Sequence, residues 1–316
     1  MNAQTITIDT IRDAAARIAP HAHVTPLLNS RSIDSIAGAT LLFKAEHLQR
    51  VGAFKFRGAC NAVWSLDDET ARRGVVTHSS GNHGAALALA ARTRGITAHV
   101  VVPEDAVKSK VAAIEAYGAK LHFCAPTMAA RDETAERLQR ETGAELVHPY
   151  KDPRVIAGQG TAALELLTQS GGVDILMTPV GGGGLTSGCA IAAHGIDPGI
   201  VCYAAEPEGA ADAYESLRQH RHVTDMTPRT IADGLRANIG DINFRLMSDH
   251  VSEVLVVSEE EIVAAMRLVW HRMKQLIEPS SATVLAAVLR YRERFAGKRV
   301  GLVISGGNVD LDHLPW

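Results

Sequence analysis

Four consecutive glycines, Gly181 to Gly184, stand between an apolar run, Asp174 to Val180, and the helix-like stretch Leu185 to Ala193. Strand, glycine loop and helix start make an anion cradle. Backbone without Cβ atoms approaches closely, and free N–H groups and the helix dipole point at the charge. Three familiar sites are excluded. A mononucleotide loop needs a lysine after the glycines, and none stands there. A dinucleotide fingerprint needs a third glycine where Thr186 or Ser187 stands. A nucleophile elbow needs its serine one place before Ser187. A compact terminal phosphate on a small cofactor remains.

Three further turns carry chemistry. Ser79-Ser80-Gly81-Asn82-His83-Gly84 follows an apolar run and opens a helix, which suits a carboxylate. Lys55 lies between Phe54 and Phe56, where loss of hydration lowers an amine's pKa and frees it for a Schiff base. Ser305-Gly306-Gly307-Asn308 ends the last apolar run and presents a hydroxyl. Each alone has a plainer reading: helix capping by Ser80 or Asn82, a lysine snorkelling from an apolar surface, a tight turn. Together they describe a phosphate, an aldehyde, a heteroaromatic ring and an amino-acid carboxylate. That is pyridoxal phosphate with its substrate.

The elements that must position these turns alternate. Helical spacing runs through Ile11, Ala14, Ala15 and Ile18, with Pro20 as a stop. Strands are expected at 40–46, 75–78, 98–102, 120–123, 145–147, 174–180, 200–204 and 299–304. Helices are expected at 57–66, 82–94, 107–117, 128–141, 158–169, 185–193, 259–276 and 281–295. Segment 206–250 is weakly periodic and rich in charge and turns. The alternation implies an α/β fold of two open, largely parallel twisted sheets with helices on both faces and a ligand cleft between them.

The bulk numbers set bounds. A chain of 316 residues suggests roughly two domains. A net charge of −3 and 4% aromatic content argue against nucleic acid and against an anionic membrane surface. The four cysteines, Cys60, Cys124, Cys189 and Cys202, form no Cys-x-x-Cys pair, so neither zinc nor a redox dithiol is indicated. No secretory signal and no membrane-length apolar stretch is visible, and a cytoplasmic protein is expected.

The motifs taken in order closely resemble the fold-type II pyridoxal-phosphate enzymes, the serine/threonine dehydratase and serine racemase family. The resemblance runs from Thr25-Pro26-Leu27 through Phe54-to-Gly58, Ser79-to-Gly84, Val155-to-Thr161 and the glycine tetrad to Ser305-to-Asn308. It implies a tryptophan-synthase-β-like fold, with residues 1–73 plus 151–316 as a large cofactor-binding domain and 74–150 as a small mobile one. It implies Lys55 as Schiff-base lysine and proton base. Gly181, Gly182, Gly183, Gly184 and the Leu185 amide would hold the phosphate. Asn82 would meet the ring oxygen and Ser305 the pyridine nitrogen, with Phe54 and Gly234 beside the cofactor. Ser79, Ser80, Asn82 and His83 would bind the substrate carboxylate, with Ser80 on the ring face opposite Lys55. Glu206, the Ala210 carbonyl and Asp212 match a divalent-cation site for Mg²⁺ (or Ca²⁺ or Mn²⁺), with a solvated acidic loop as the plainer reading and Glu208 facing solvent.

The implied reaction is β-elimination of water from L-serine, L-threonine or 3-hydroxyaspartate, giving a 2-oxo acid and ammonia. The alternative is a serine or aspartate racemase, and both activities can coexist. A third reading is a non-catalytic phosphate sensor. Departures sharpen the expectation. Ala85 stands where nucleotide-stimulated racemases carry Gln, and Tyr150 stands where racemases often carry Asn. The chain ends soon after Asn308, so no regulatory domain is expected. Arg131 matches a position that meets a second substrate carboxylate, or it is a surface arginine. Arg236 in the 234–238 segment is a second candidate for that carboxylate. A homodimer is expected from the family.

Overall fold

A computed structural model describes residues 5–316. Among the described residues ten strands form two sheets: β1 (Leu27–Leu28), β2 (Thr40–Ala45), β3 (Val75–His78), β4 (Ala98–Pro103), β5 (Lys120–Cys124), β6 (Glu145–Leu146), β7 (Ile175–Pro179), β8 (Val201–Pro207), β9 (Glu253–Val257) and β10 (Arg299–Ile304). The larger sheet has the order β1-β2-β10-β7-β8-β9, and the smaller β5-β4-β3-β6. Every pairing is parallel except β1 with β2.

Both faces of the larger sheet are covered, as parallel sheets require. Side chains of a strand alternate, so Leu176 enters one core while Ile175 and Met177 enter the other. Likewise Val303 faces one core and Val300, Leu302 and Ile304 face the other. The helices Pro153–Ser170 and Gly184–Ile196 cross backbone to backbone. A Cβ on Gly188 would lie 2.2 Å from the Ile156 carbonyl oxygen. That contact fixes the helix that follows the glycine tetrad. The turns after β3, β7, β8 and β10 all lie at the C-terminal ends of parallel strands, where open α/β sheets bind ligands.

Most expected elements are present, and helix Asn82–Arg94 and strand Arg299–Ile304 have the expected bounds. Several expectations are corrected. The helix expected from Gly158 begins at Pro153, where Asp152 caps the Arg154 amide and proline occupies the first turn. The helix expected to reach Leu276 ends at Met273, with Lys274 in the left-handed region at φ 58. That expected over 281–295 spans Pro279–Arg290. Segment 206–250, weakly periodic and rich in turns as read, holds the helices Asp212–Gln219 and Asp241–His250, with mostly irregular chain between them. The short helices Arg31–Ala37 and Asp68–Arg72 and the strands β1 and β9 were not expected. Of the expected domain 1–73, residues 1–4 lie outside the described residues. Strands β3 to β6 fall inside the expected 74–150 segment.

Candidate active site

Lys55 opens the helix Lys55–Trp64, after two short 3₁₀ turns that lead out of β2. Its Nζ donates to the Pro149 carbonyl at 3.0 Å and lies 5.1 Å from the centre of the Phe54 ring. Among the described residues it makes no ion pair. Burial of the amine, with no counter-charge to offset it, pulls its pKa down to about 8.

Behind the lysine lies a buried ionic network. Arg57 Nε and Nη2 donate to the two oxygens of Glu46 at 2.7 and 2.8 Å. Arg57 Nη1 and Nη2 donate to the two oxygens of Glu165 at 2.7 Å each. Lys44 Nζ donates to Glu165 at 2.7 Å and to the Thr25 carbonyl. Burial alone would lower the Arg57 pKa, but the two carboxylates hold it above its ordinary value. The network ties β2 and helix Pro153–Ser170 to the helix that starts with the lysine.

The glycine tetrad is buried. Gly183 has φ +89, and a Cβ on Gly182 would lie 2.3 Å from the Tyr150 ring. Side chains are therefore excluded here. Asn243 braces the loop through Nδ2, which donates to the carbonyls of Gly182 at 2.7 Å and Tyr150 at 2.8 Å. The amides of Gly181 to Leu185 have no protein acceptor among the described residues. Tyr150 follows Pro149, so the residue that accepts from Lys55 is joined to the one that packs on the loop. Gly234 is adjacent too: a Cβ on Gly181 would lie 3.2 Å from its carbonyl oxygen.

The Ser305 turn meets the lysine turn directly. Phe54 N donates to the Ser305 carbonyl at 2.9 Å, and Ala53 bridges to Gly306. The Ser305 hydroxyl is 3.0 Å from that of Ser281. In the Ser79 turn, the amides of Ser80, Asn82 and His83 have no protein acceptor among the described residues, and the Ser80 hydroxyl makes no protein hydrogen bond. Asn82 reaches across to the larger sheet, where Glu278 and Asn308 contact its amide. A cavity of about 210 Å³ adjoins this contact, lined in part by Asn82, Ala85, Lys110, Tyr117, Asn308 and Asp310.

The remaining expected residues differ in their surroundings. The His83 imidazole is buried, with Nε2 3.3 Å from the Val147 carbonyl, and burial keeps it neutral. Only its backbone belongs to the turn. Arg131 is half-buried near His78 and Cys124 at the end of the smaller sheet, and its Nε has no partner. Arg236 is committed to the Thr230 carbonyl. Glu206 and Asp212 form a separate buried pair. Burial and the Asp212 charge push Glu206 well up, and burial pushes Asp212 up to about 6. Glu206 accepts from the Ala213 and Tyr214 amides and Asp212 from the Ile239 amide. Among the described residues no group of three or more His, Cys, Asp or Glu side chains surrounds a common point. Two buried carboxyl groups with oxygen donors still fit a hard, oxygen-preferring cation. Glu208 is paired with Arg290 at the surface.

Sequence reasoning missed Glu278 and Ser281. Glu278 is 3% exposed, between Gly234 and Gly306. Its signal was a carboxylate directly before Pro279 at the start of a helix with no charge until Arg290.

A loop of unused amides, glycines whose Cβ atoms would collide, and an unpaired buried amine fit a phosphate-bearing aldehyde. The comparisons with known proteins agree. The chain is 48% identical over 303 residues to the beta-hydroxyaspartate dehydratase of Paracoccus denitrificans, covering 96% of each chain. It is 43% identical over 302 residues to the L-threo-3-hydroxyaspartate ammonia-lyase of Saccharomyces cerevisiae, covering 95% of this chain and 93% of that one. The solved serine racemase of Dictyostelium discoideum superposes with a TM-score of 0.92 at 48% identity, over 97% of this chain and 99% of that one. The model of the pyridoxal-phosphate dependent enzyme family matches residues 18–306, and the chain belongs to that family.

Proposed function

We propose that the chain is an ammonia-lyase that removes the β-hydroxyl of a hydroxy-amino acid and releases a 2-oxo acid and ammonia. The observation that carries this reading is the Lys55 amine, buried without a counter-charge and joined through Pro149 and Tyr150 to the glycine loop. Bound pyridoxal phosphate supplies an aldehyde for the amine and a conjugated ring that withdraws electrons from the substrate's Cα.

The chain's own groups then have these tasks. Lys55, with a pKa near 8, exists partly as the free amine near neutrality and takes the Cα proton. The amides of Gly181 to Gly184 and Leu185 hold the phosphate, with Phe54 and Gly234 beside the ring. Asn82 meets the ring oxygen. Ser305, backed by Ser281, meets the ring nitrogen with a hydroxyl and leaves it largely unprotonated, which favours prompt elimination. Ser79, Ser80 and the amides of Asn82 and His83 hold the substrate carboxylate. Glu206, the Ala210 carbonyl and Asp212 hold a Mg²⁺ ion (Ca²⁺ or Mn²⁺ being alternatives), which offsets two like charges buried together. The 74–150 segment closes as a mobile domain on 1–73 plus 151–316.

Among substrates, 3-hydroxyaspartate is favoured. The unpartnered Arg131 Nε at the edge of the small lobe supports this, as do two relatives named for that substrate. Among the described residues no helix is long and apolar enough to cross a membrane. The four cysteines are free and buried, which fits a reducing compartment such as the cytoplasm. The reading includes a homodimer, which sedimentation would check.

The second reading, an amino-acid racemase, is favoured by the unpaired Ser80 hydroxyl and the likeness to the Dictyostelium racemase. One experiment separates the two. The chain is incubated with each stereoisomer of serine, threonine and 3-hydroxyaspartate, with and without Mg²⁺. Oxo-acid release and the handedness of the remaining amino acid are measured. Lyase activity on 3-hydroxyaspartate that Lys55→Ala abolishes is the expected result. Inversion without oxo acid would replace the first reading with the second, and Ser80→Ala would then stop it. Arg131→Ala should raise KM for 3-hydroxyaspartate and leave that for serine unchanged.

A further inference from the structure

The Asn82 amide sits in a chain of contacts that joins the two lobes. Asn82 opens a helix packed on the smaller sheet, whereas Glu278 and Asn308 belong to the larger lobe. The chain starts at Val51, a β-branched residue in the left-handed region at φ 57 and ψ 13. That conformation is costly and persists only where its surroundings hold it. Here it places the Val51 carbonyl to accept from Asn308 Nδ2 at 2.8 Å. Gly307 N closes the same turn on the Gly52 carbonyl at 2.9 Å.

A carbonyl only accepts, so the Asn308 amide has one allowed orientation. Its Nδ2 also lies 2.8 Å from the Asn82 side chain, and the atom facing it must be Oδ1. Asn82 Nδ2 is therefore turned to Glu278, 3.1 Å from one carboxylate oxygen and 3.3 Å from the other. An inverted Asn82 would set two donors against each other on one side and two acceptors on the other. The two N–H bonds of an amide diverge too widely for both to point at one carboxylate. One N–H serves Glu278 and one is left over. Glu278 is itself held by the Asn308 main-chain N–H, which donates to it at 3.0 Å, in space that glycine at 306 leaves open.

We propose that Glu278 and Asn308 are positioning residues that fix the Asn82 amide in one orientation, so that its spare N–H is offered to the ring oxygen of pyridoxal phosphate. This rests on the role given to Asn82 above. Neither residue needs to touch the cofactor to act. Their contribution is to make Asn82 a donor and never an acceptor.

The test uses ligand discrimination. Dissociation constants of the cofactor-stripped chain are measured for pyridoxal 5'-phosphate and for its 3-deoxy analogue, which lacks the ring oxygen. Wild type should prefer the parent by roughly tenfold or more, the worth of one hydrogen bond to a charged oxygen. Glu278→Gln keeps the shape and removes the charge and one acceptor, and should cut that preference to within about threefold. Asn308→Ala alters an exposed residue and should cut it in the same direction, and it decides the matter alone if Glu278→Gln does not fold. A merely structural role would weaken both ligands equally and leave the ratio intact. An undiminished ratio in the folded variants overturns the inference, as does a wild type that does not distinguish the ligands. A wild type that binds neither compound overturns the proposed function itself.

Discussion

Lys55 and Arg57 stand two residues apart at the start of one helix, and burial treats them in opposite ways. Arg57 is fully buried, and two carboxylates meet its guanidinium in bidentate contacts. Lys55 has one carbonyl and one aromatic face, and no carboxylate among the described residues. The first cation is locked on, because its desolvation is offset by charge-assisted bonds. The second is left short of partners and releases its proton more readily. A helix that needs a reactive amine at its first turn must be anchored by something other than that amine, and Arg57 supplies the anchor.

The contrast can be broken in several ways. The largest effect is on turnover. Lys55→Ala should lower oxo-acid release by roughly 10²–10⁴-fold or more while the chain stays folded, and near wild-type turnover would remove the lysine from the chemistry. Arg57→Met should act on the fold instead. It strands Glu46 without its partner, and urea denaturation should record a loss of about 3–5 kcal/mol. A loss no greater than that of Lys55→Met would erase the distinction between the two cations.

A buried pair of the opposite sign sharpens the comparison. Glu206 and Asp212 are two buried carboxyl groups that burial pushes up, and neither forms an ion pair among the described residues. Asp212 has a folded pKa of about 6 against an ordinary 3.8. Between those values the folded chain keeps a proton that the unfolded chain has lost, so stability falls as pH rises through that window. At neutral pH a saturating excess of Mg²⁺ should restore about 2–3 kcal/mol, read as a higher Tm, and the double variant Glu206→Gln, Asp212→Asn should not respond. A Tm indifferent to divalent cations would reduce this pair to a structural feature.

Of comparable size is the pH signature of Lys55 in the cofactor-free chain. Its folded value is about 8 against an ordinary 10.5. Across that window the unfolded chain holds a proton that the folded chain has shed, so stability rises with pH. Lys55→Met should flatten that slope. Smallest of all is the exposed pair Arg137–Glu141 at 3.1 Å, where Arg137→Ala should cost at most about 0.5 kcal/mol.

What the sequence made legible was local. The glycine tetrad and the serine turns each sit on a strand end, the lysine between phenylalanines opens a helix, and buried strands read as apolar runs. What stayed hidden depends on partners far along the chain. Glu278 gains its meaning only from Asn82 and Asn308. Nothing in the spacing of Lys44, Glu46, Arg57 and Glu165 marks them as partners, and only the packed structure shows that they neutralise one another. The helix Asp212–Gln219 carries its own charges and turns its few apolar residues to a core that the segment cannot announce. Tyr150 read as a family variation, whereas in the structure its ring is what forbids a side chain at Gly182.

The strand order of the larger sheet governs how the chain is assembled during synthesis. β10 lies between β2 and β7, so a strand emerging late from the ribosome must slot between two made much earlier. The smaller sheet draws on one contiguous stretch and can form while translation continues. Until β10 arrives, Leu41, Phe43, Ile175 and Met177 lack the neighbour that covers them, and a stalled nascent chain would be a client for chaperones. The same insertion delivers the Ser305 carbonyl to the Phe54 amide, so the cleft becomes competent in one late step.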